Sequence, residues 1–201
     1  MMTSDYSSKE AEERQRRYII AVIGDGSADR KSAVYAIAEE LGRALISAGY
    51  RVLTGGIGGV MEAASKGASL SPYYREGDII AVLPGYDPGD ANRYVDICIA
   101  TGLGVSRNAI VANSDAVIAV GGGAGTLSEI ALAWSFGRPV IAFRADGWSG
   151  RLADKRPDEK IRHPDIKDDR IYGASSAEEV INILSEKLPE YKKRNPGYSG
   201  K

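Results

Sequence analysis

Gly121, Gly122, Gly123 and Gly125, followed by Thr126 and Glu129, are the residues whose types and spacing point most directly to chemistry. They follow the apolar run Asp115–Val120 and open a helical pattern over Leu127–Phe136. A buried strand is therefore expected to pass through a glycine loop into a helix N-terminus. Glycines leave backbone N–H groups uncovered, and a helix start adds unpaired donors and roughly half a positive charge. Gly122, Gly123, Ala124, Gly125 and Thr126 then form a cradle for a phosphate or another anion. One turn further on, the Glu129 carboxylate can face a ligand's sugar, and the helix dipole is expected to keep it ionised. There it can bind hydroxyls, orient a water or stabilise an oxocarbenium-like state. A structural alternative stands beside this one. Thr126-x-x-Glu129 has the form of a capping box, as do Ser175-x-x-Glu178 and Ser176-x-x-Glu179, where nothing else suggests a site.

Three further groups can face the same loop. Arg107 and Asn108 follow Gly102 and Gly104 near the start of a helix, and a guanidinium there can hold a phosphate bidentately. Its alternative is a surface arginine paired with any carboxylate, a contact worth little. Gly55, Gly56, Gly58 and Gly59 end a strand and lead to Met61. They serve either backbone contact with a ligand, with Met61 as a pliable wall, or tight strand-to-helix packing. Gly24, Gly26 and Ser27 follow the first strand and can supply amide and hydroxyl donors. Asp25 would repel a phosphate placed beside it, so this loop is expected to hold another part of the ligand. His163, the only histidine, lies in a charged stretch beside Pro164 and reads as a solvated side chain. Trp134 and Phe136 read as core or interface residues. One cysteine and one histidine cannot build a dedicated zinc site, so no metal is expected.

The elements that must position these groups alternate along the chain. The continuous apolar run Tyr18–Ile23 reads as a strand buried on both faces, and Arg51–Thr54, Asp78–Leu83, Val95–Ala100, Asp115–Val120 and Pro139–Phe143 read as further strands. Helical spacing separates most of them, as in Val34, Ile37, Ala38, Leu41 and Leu45 before Gly49. The pattern predicts an α/β fold: one Rossmann-like, doubly wound, mostly parallel sheet with helices on both faces. Ligands of such sheets bind beyond the carboxyl ends of the strands, where all the glycine loops fall. Residues 1–17 are expected to be a flexible charged arm and 18–188 the folded domain. Within that domain 146–170 is expected to be a charged surface excursion, with Ile171-Tyr172 after it as a short edge strand. Residues 189–201 are expected to be a basic tail.

Composition narrows the function. The 201 residues are 43% hydrophobic with a net charge of −1. That is enough for one core, and it gives no overall field toward nucleic acid or an acidic membrane. Residues 1–17 lack the apolar segment of a secretory signal, and no run is long enough to span a bilayer. With one cysteine, Cys98, no disulfide forms within the chain, which suits the cytoplasm. The first loop, Gly24-x-Gly26-x-x-Asp29, lacks the third glycine of a dinucleotide fingerprint. The second strand ends in Thr54 rather than an acid, and a mononucleotide or similar phosphorylated ligand fits better.

Thr54-Gly-Gly-Ile-Gly-Gly-Val-Met61, together with Gly122-Gly-Ala-Gly-Thr-Leu-Ser-Glu129, resembles the Lonely Guy (LOG) and "lysine decarboxylase-like" superfamily of Rossmann proteins. The resemblance covers about Tyr18 to Phe143 and is closer to the branch holding the molybdenum cofactor carrier proteins. It implies a homodimer or larger homo-oligomer, through helices near Arg107 and Trp134. It also implies a phosphorylated small-molecule partner, either a molybdopterin-type cofactor or a nucleoside monophosphate. The superfamily's enzymes are nucleoside 5′-monophosphate phosphoribohydrolases, and Glu129 matches their catalytic glutamate. Gly121 stands where they carry proline. Without a gap, Ser106-Arg107 faces their Arg-Lys pair; with a one-residue shift, Arg107 falls on the arginine and Asn108 on the lysine. As an enzyme the chain would use Glu129 and Arg107. The departure at Ser106-Arg107-Asn108 favours a binding protein, and no lysine stands out as a Schiff-base former for a decarboxylase.

Overall fold

The computed structural model describes residues 16–191. Seven strands form one sheet: β1 (Ile19–Gly24), β2 (Arg51–Thr54), β3 (Ile79–Leu83), β4 (Ile97–Ala100), β5 (Ala116–Val120), β6 (Val140–Phe143) and β7 (Tyr172–Ala174). Their order is β4-β3-β2-β1-β5-β6-β7, and every pairing is parallel. The α-helices among the described residues are α1 (Ala33–Ser47), α2 (Val60–Ser69), α3 (Asn108–Ala112), α4 (Ala124–Ser135), α5 (Trp148–Leu152) and α6 (Ala177–Lys187). This is the expected Rossmann-like arrangement, with β7 as the edge strand after Ile171. None of these helices is long and apolar enough to cross a membrane.

Alternation along the strands builds a core on each face. Ile20 and Val22 of β1 pack with residues of α1, α2 and α6, while Ala21 and Ile23 pack with residues of α3 and α4. Small residues set how closely α1 and α2 approach. A Cβ on Gly42 would collide with the Ala64 carbonyl, and one on Gly67 with the Glu39 carbonyl. At the far edge, β4 leaves Ile97 and Ile99 exposed, so the second face is not fully covered there.

Residues at the margins make specific contacts. Arg16 pairs with Asp115 at 2.7 Å and Arg17 with Asp78 at 2.5 Å. Tyr191 is buried and donates to Asp169 at 2.6 Å, so Tyr172 donates to it across 3.1 Å. The rest of the expected arm and tail lies outside the described residues. One sequence expectation needs correcting here. His163 is half-buried, with its ring edge on Tyr191 and Nε2 3.0 Å from the Gly137 carbonyl. Of the two readings of Trp134, the structure realises the core: it is buried beneath the charged stretch, donating to Asp158 at 3.2 Å with Arg162 stacked on its ring.

Chain order reverses between β1 and β5, with β2 to β4 on one side and β6 and β7 on the other. Crevices beyond the strand ends form at such a switch point. Here the loops after β1, β2 and β5 lie side by side.

Candidate functional site

A cavity of about 200 Å3 opens at this switch point. β1 and the loop after it contribute Ile23, Gly24, Asp25 and Gly26; the β2 loop and α2 contribute Gly55 and Met61; α4 and its N-cap contribute Gly123, Gly125, Thr126 and Glu129. Arg107 and Asn108 close it from a 3-10 turn (Gly104–Arg107) that runs into α3. Residues far apart in the sequence thus meet on one wall.

The glycine loop is shaped by its own chain. Gly122 has φ +89°, and a Cβ there would strike the Thr126 hydroxyl. α4 then begins at Ala124 with Gly123 as its N-cap and no side-chain cap. The capping-box alternative is therefore not realised. Thr126 is the third helical residue, and Glu129 the sixth, one and a half turns from the start. The uncapped first-turn amides are the unpaired donors expected of a helix start. A Cβ on Gly123 or Gly125 would meet nothing within 4 Å, so space remains open above them.

Glu129 turns instead to Arg107. Its Oε1 accepts from Arg107 Nη1 at 2.8 Å, and both residues are buried, 7% and 9% exposed. The same Nη1 donates to Asn108 Oδ1 at 2.8 Å, Asn108 Nδ2 donates to Ser128 Oγ at 2.8 Å, and Ser128 Oγ donates to the Gly125 carbonyl at 2.7 Å. This chain of bonds ties the arginine to the cradle. Arg107 Nε is buried without a hydrogen-bond partner. Desolvation pushes the Glu129 carboxyl up to about 7, while Arg107 pulls it down. The expected ionisation by the helix dipole is overridden, because that effect fades within the first turn. A carboxyl near neutrality can accept or deliver a proton.

Not every sequence-chosen residue lines the cavity. Ser27 donates its hydroxyl to Asp25 Oδ1 at 2.7 Å. Gly56 is packed on Ala81 and Leu83, Gly59 on the Asp25 and Gly26 backbone, and Gly58 lies near the Gly26 carbonyl. These glycines, with Gly122 and Ala124, shape the loops behind the wall. Sequence reasoning missed Ser149, which is fully buried and accepts from Gly121 N at 2.8 Å. It comes from the charged excursion, whose helix α5 also donates through Trp148 N to the Gly122 carbonyl at 3.0 Å. The available signal was Gly147, a further glycine after a strand; a Cβ there would collide with Gly121 and Gly122.

Sheet and cavity together define an α/β protein of the Rossmann-like class. Within that class, the SLOG cluster4 family model matches residues 17–181, and the chain belongs to this family. The match runs through the excursion into α6, beyond the motif-bearing region. The molybdenum cofactor binding protein from Rippkaea orientalis is similar in structure: TM-score 0.69, 36% identity, covering 85% of this chain and 97% of that one. The molybdenum cofactor carrier protein of Chlamydomonas reinhardtii gives a TM-score of 0.68 at 31% identity, covering 86% of this chain and 99% of that one. An uncharacterized protein of Archaeoglobus fulgidus is 42% identical over 126 residues, 62% of this chain and 79% of its own. The resemblance to the cofactor-carrier branch is thereby borne out.

Proposed function

We propose that this chain binds and carries a phosphorylated molybdopterin-type cofactor. The observation that carries the reading is the uncapped start of α4, opening into a cavity beside a buried arginine whose Nε has no partner. Molybdopterin ends in a phosphate. The amides of Gly123, Ala124, Gly125 and Thr126 would hold that group, and Arg107 would offset its charge. The similarity to cofactor-binding and carrier proteins supports this ligand class. The test is retention: the protein is mixed with molybdopterin, passed through a desalting column, and its pterin counted by fluorescence. About one pterin per chain is expected, and a dephosphorylated pterin should wash off. Equal retention of both forms would refute the phosphate cradle.

A second reading has its own observation, the Arg107–Glu129 pair with Glu129 close to neutrality. Those two residues would serve hydrolysis of a nucleoside 5′-monophosphate. Glu129 would orient water or stabilise positive charge on the sugar, and Arg107 would hold the substrate. Release of base and ribose 5-phosphate, abolished by Glu129→Gln, would establish it. No release from any common monophosphate would leave the carrier reading.

Self-association belongs to the same proposal. Ile97, Ile99, Leu103, Val105 and Ile110 are 44–84% exposed. Ile97 and Ile99 are in register with Ile80 and Val82, which pack on the α3 side of the sheet. An apolar strip of this kind marks an interface, and a second copy would cover it. Sedimentation should give a dimer or larger species that Val105→Lys dissociates. A monomeric wild type would refute it.

A further inference from the structure

We infer that Asp25 selects the ligand's ring, favouring a heterocycle that presents adjacent N–H donors, as the 2-amino-4-oxopyrimidine edge of a pterin or a guanine does. The inference rests on the phosphate-cradle reading and adds what the other end of the cavity recognises. Three charged side chains line the cavity: Asp25, Arg107 and Glu129. Arg107 answers Glu129. Asp25 is held only by its own loop, where its Oδ1 accepts from Ser27 N at 2.8 Å and from Ser27 Oγ at 2.7 Å. Its backbone is fixed too, since the Asp25 carbonyl accepts from Val60 N at 2.9 Å at the start of α2. The carboxylate is thus locked in place and makes no ion pair within 4.0 Å among the described residues.

A fixed carboxylate on a cavity wall accepts hydrogen bonds and repels anions. The group beside it must therefore be a donor, and the phosphate must lie elsewhere, which the α4 cradle provides. The surroundings distinguish a ring from a sugar. Met61 lies against Gly26, its Cε only 3.3 Å from where a Cβ would stand. A polarizable thioether beside a side-chain-free backbone makes a flat, apolar wall next to the carboxylate. A planar ring with a donor edge matches both surfaces together, whereas sugar hydroxyls would leave the apolar wall unmatched. Ser27, which aims the carboxylate, is a positioning residue.

Nucleotide monophosphates serve as probes because they share a phosphate and differ in the ring edge. Binding of GMP, AMP and 2′-deoxy-GMP to the full chain would be measured by calorimetry. Wild type should bind GMP about tenfold or more tighter than AMP, the discrimination of a paired donor–acceptor edge. 2′-Deoxy-GMP should match GMP. Asp25→Asn should bring the GMP-to-AMP ratio close to one, and Ser27→Ala, which keeps but frees the carboxylate, should lower it partway. Circular dichroism confirms that each variant is folded. Equal affinity for GMP and AMP in wild type, or an Asp25→Asn loss shared equally by both, would overturn the inference while leaving the cradle intact. A loss on removing the 2′-hydroxyl would assign Asp25 to the sugar and overturn it as well. If neither the nucleotides nor inorganic phosphate binds at all, the cradle falls, and the inference with it.

Discussion

The starts of α4 and α6 carry the same short pattern and use it in opposite ways. At α6, Ser176 is the N-cap. Its Oγ accepts from Glu179 N at 3.1 Å, and Glu179 Oε2 accepts from Ser175 N at 2.7 Å, all in solvent. The donors of that helix start are partly consumed, and the helix is stabilised locally. At α4 the backbone turns helical two residues before Thr126, because the glycines let it fold back against Thr126 and the α5 segment. Glu129 is carried past the first turn, buried, and handed to Arg107. The α4 start forgoes about 1 kcal/mol of capping and keeps its donors. One pattern, in two settings, yields a stabilising cap and an uncapped helix start.

Breaking the buried pair should produce the largest effect. Arg107→Met leaves Glu129 buried without its partner, so urea unfolding at pH 8 should show a loss of about 4 kcal/mol. At pH 5, where the carboxyl can protonate, the loss should fall to about 1 kcal/mol. A loss independent of pH would mean that Arg107 acts through packing alone.

The pair also sets a pH dependence. Burial raises the Glu129 carboxyl from 4.5 to about 7. Between those values the folded state binds more protons than the unfolded chain. Stability should therefore be fullest below about pH 4.5 as far as this group is concerned, and fall as pH rises through about 7, by up to about 3 kcal/mol. Glu129→Gln should flatten that window. If wild type and variant keep parallel profiles, the carboxyl does not titrate there.

The two helix starts give smaller, opposite effects. Ser176→Ala should cost about 1 kcal/mol and leave ligand affinity untouched. Gly125→Ala should do the reverse. It replaces glycine inside a helix, where its Cβ meets no atom of the chain, so stability should rise by roughly 0.7 kcal/mol. The same methyl enters the space above the cradle, and binding should weaken at least tenfold. Thermal unfolding with and without ligand checks both. A stabilised Gly125→Ala protein that still binds normally would place the ligand elsewhere.

The strands along the chain were legible in the sequence, because buried strands read as apolar runs and glycines mark their carboxyl ends. It also brought together Arg107, Glu129, Gly55 and Gly125, whose types suggested one ligand. It did not decide between cap and site at Thr126-x-x-Glu129, since local spacing is identical in both and only Arg107, 22 residues away, settles which way Glu129 turns. Nor did it show Ser149 beneath Gly121, because a serine in a charged stretch carries no periodicity. His163 was misjudged for the same reason: Tyr191, which covers it, reaches it through the tertiary fold.

Phosphorus NMR of a phosphorylated pterin, titrated with wild type and with Gly125→Ala, tests the bare helix start most directly. A phosphate seated on the α4 amides should shift and broaden in wild type and stay sharp with the variant. A resonance that both proteins perturb equally, or that neither perturbs, would contradict a phosphate site at the start of α4.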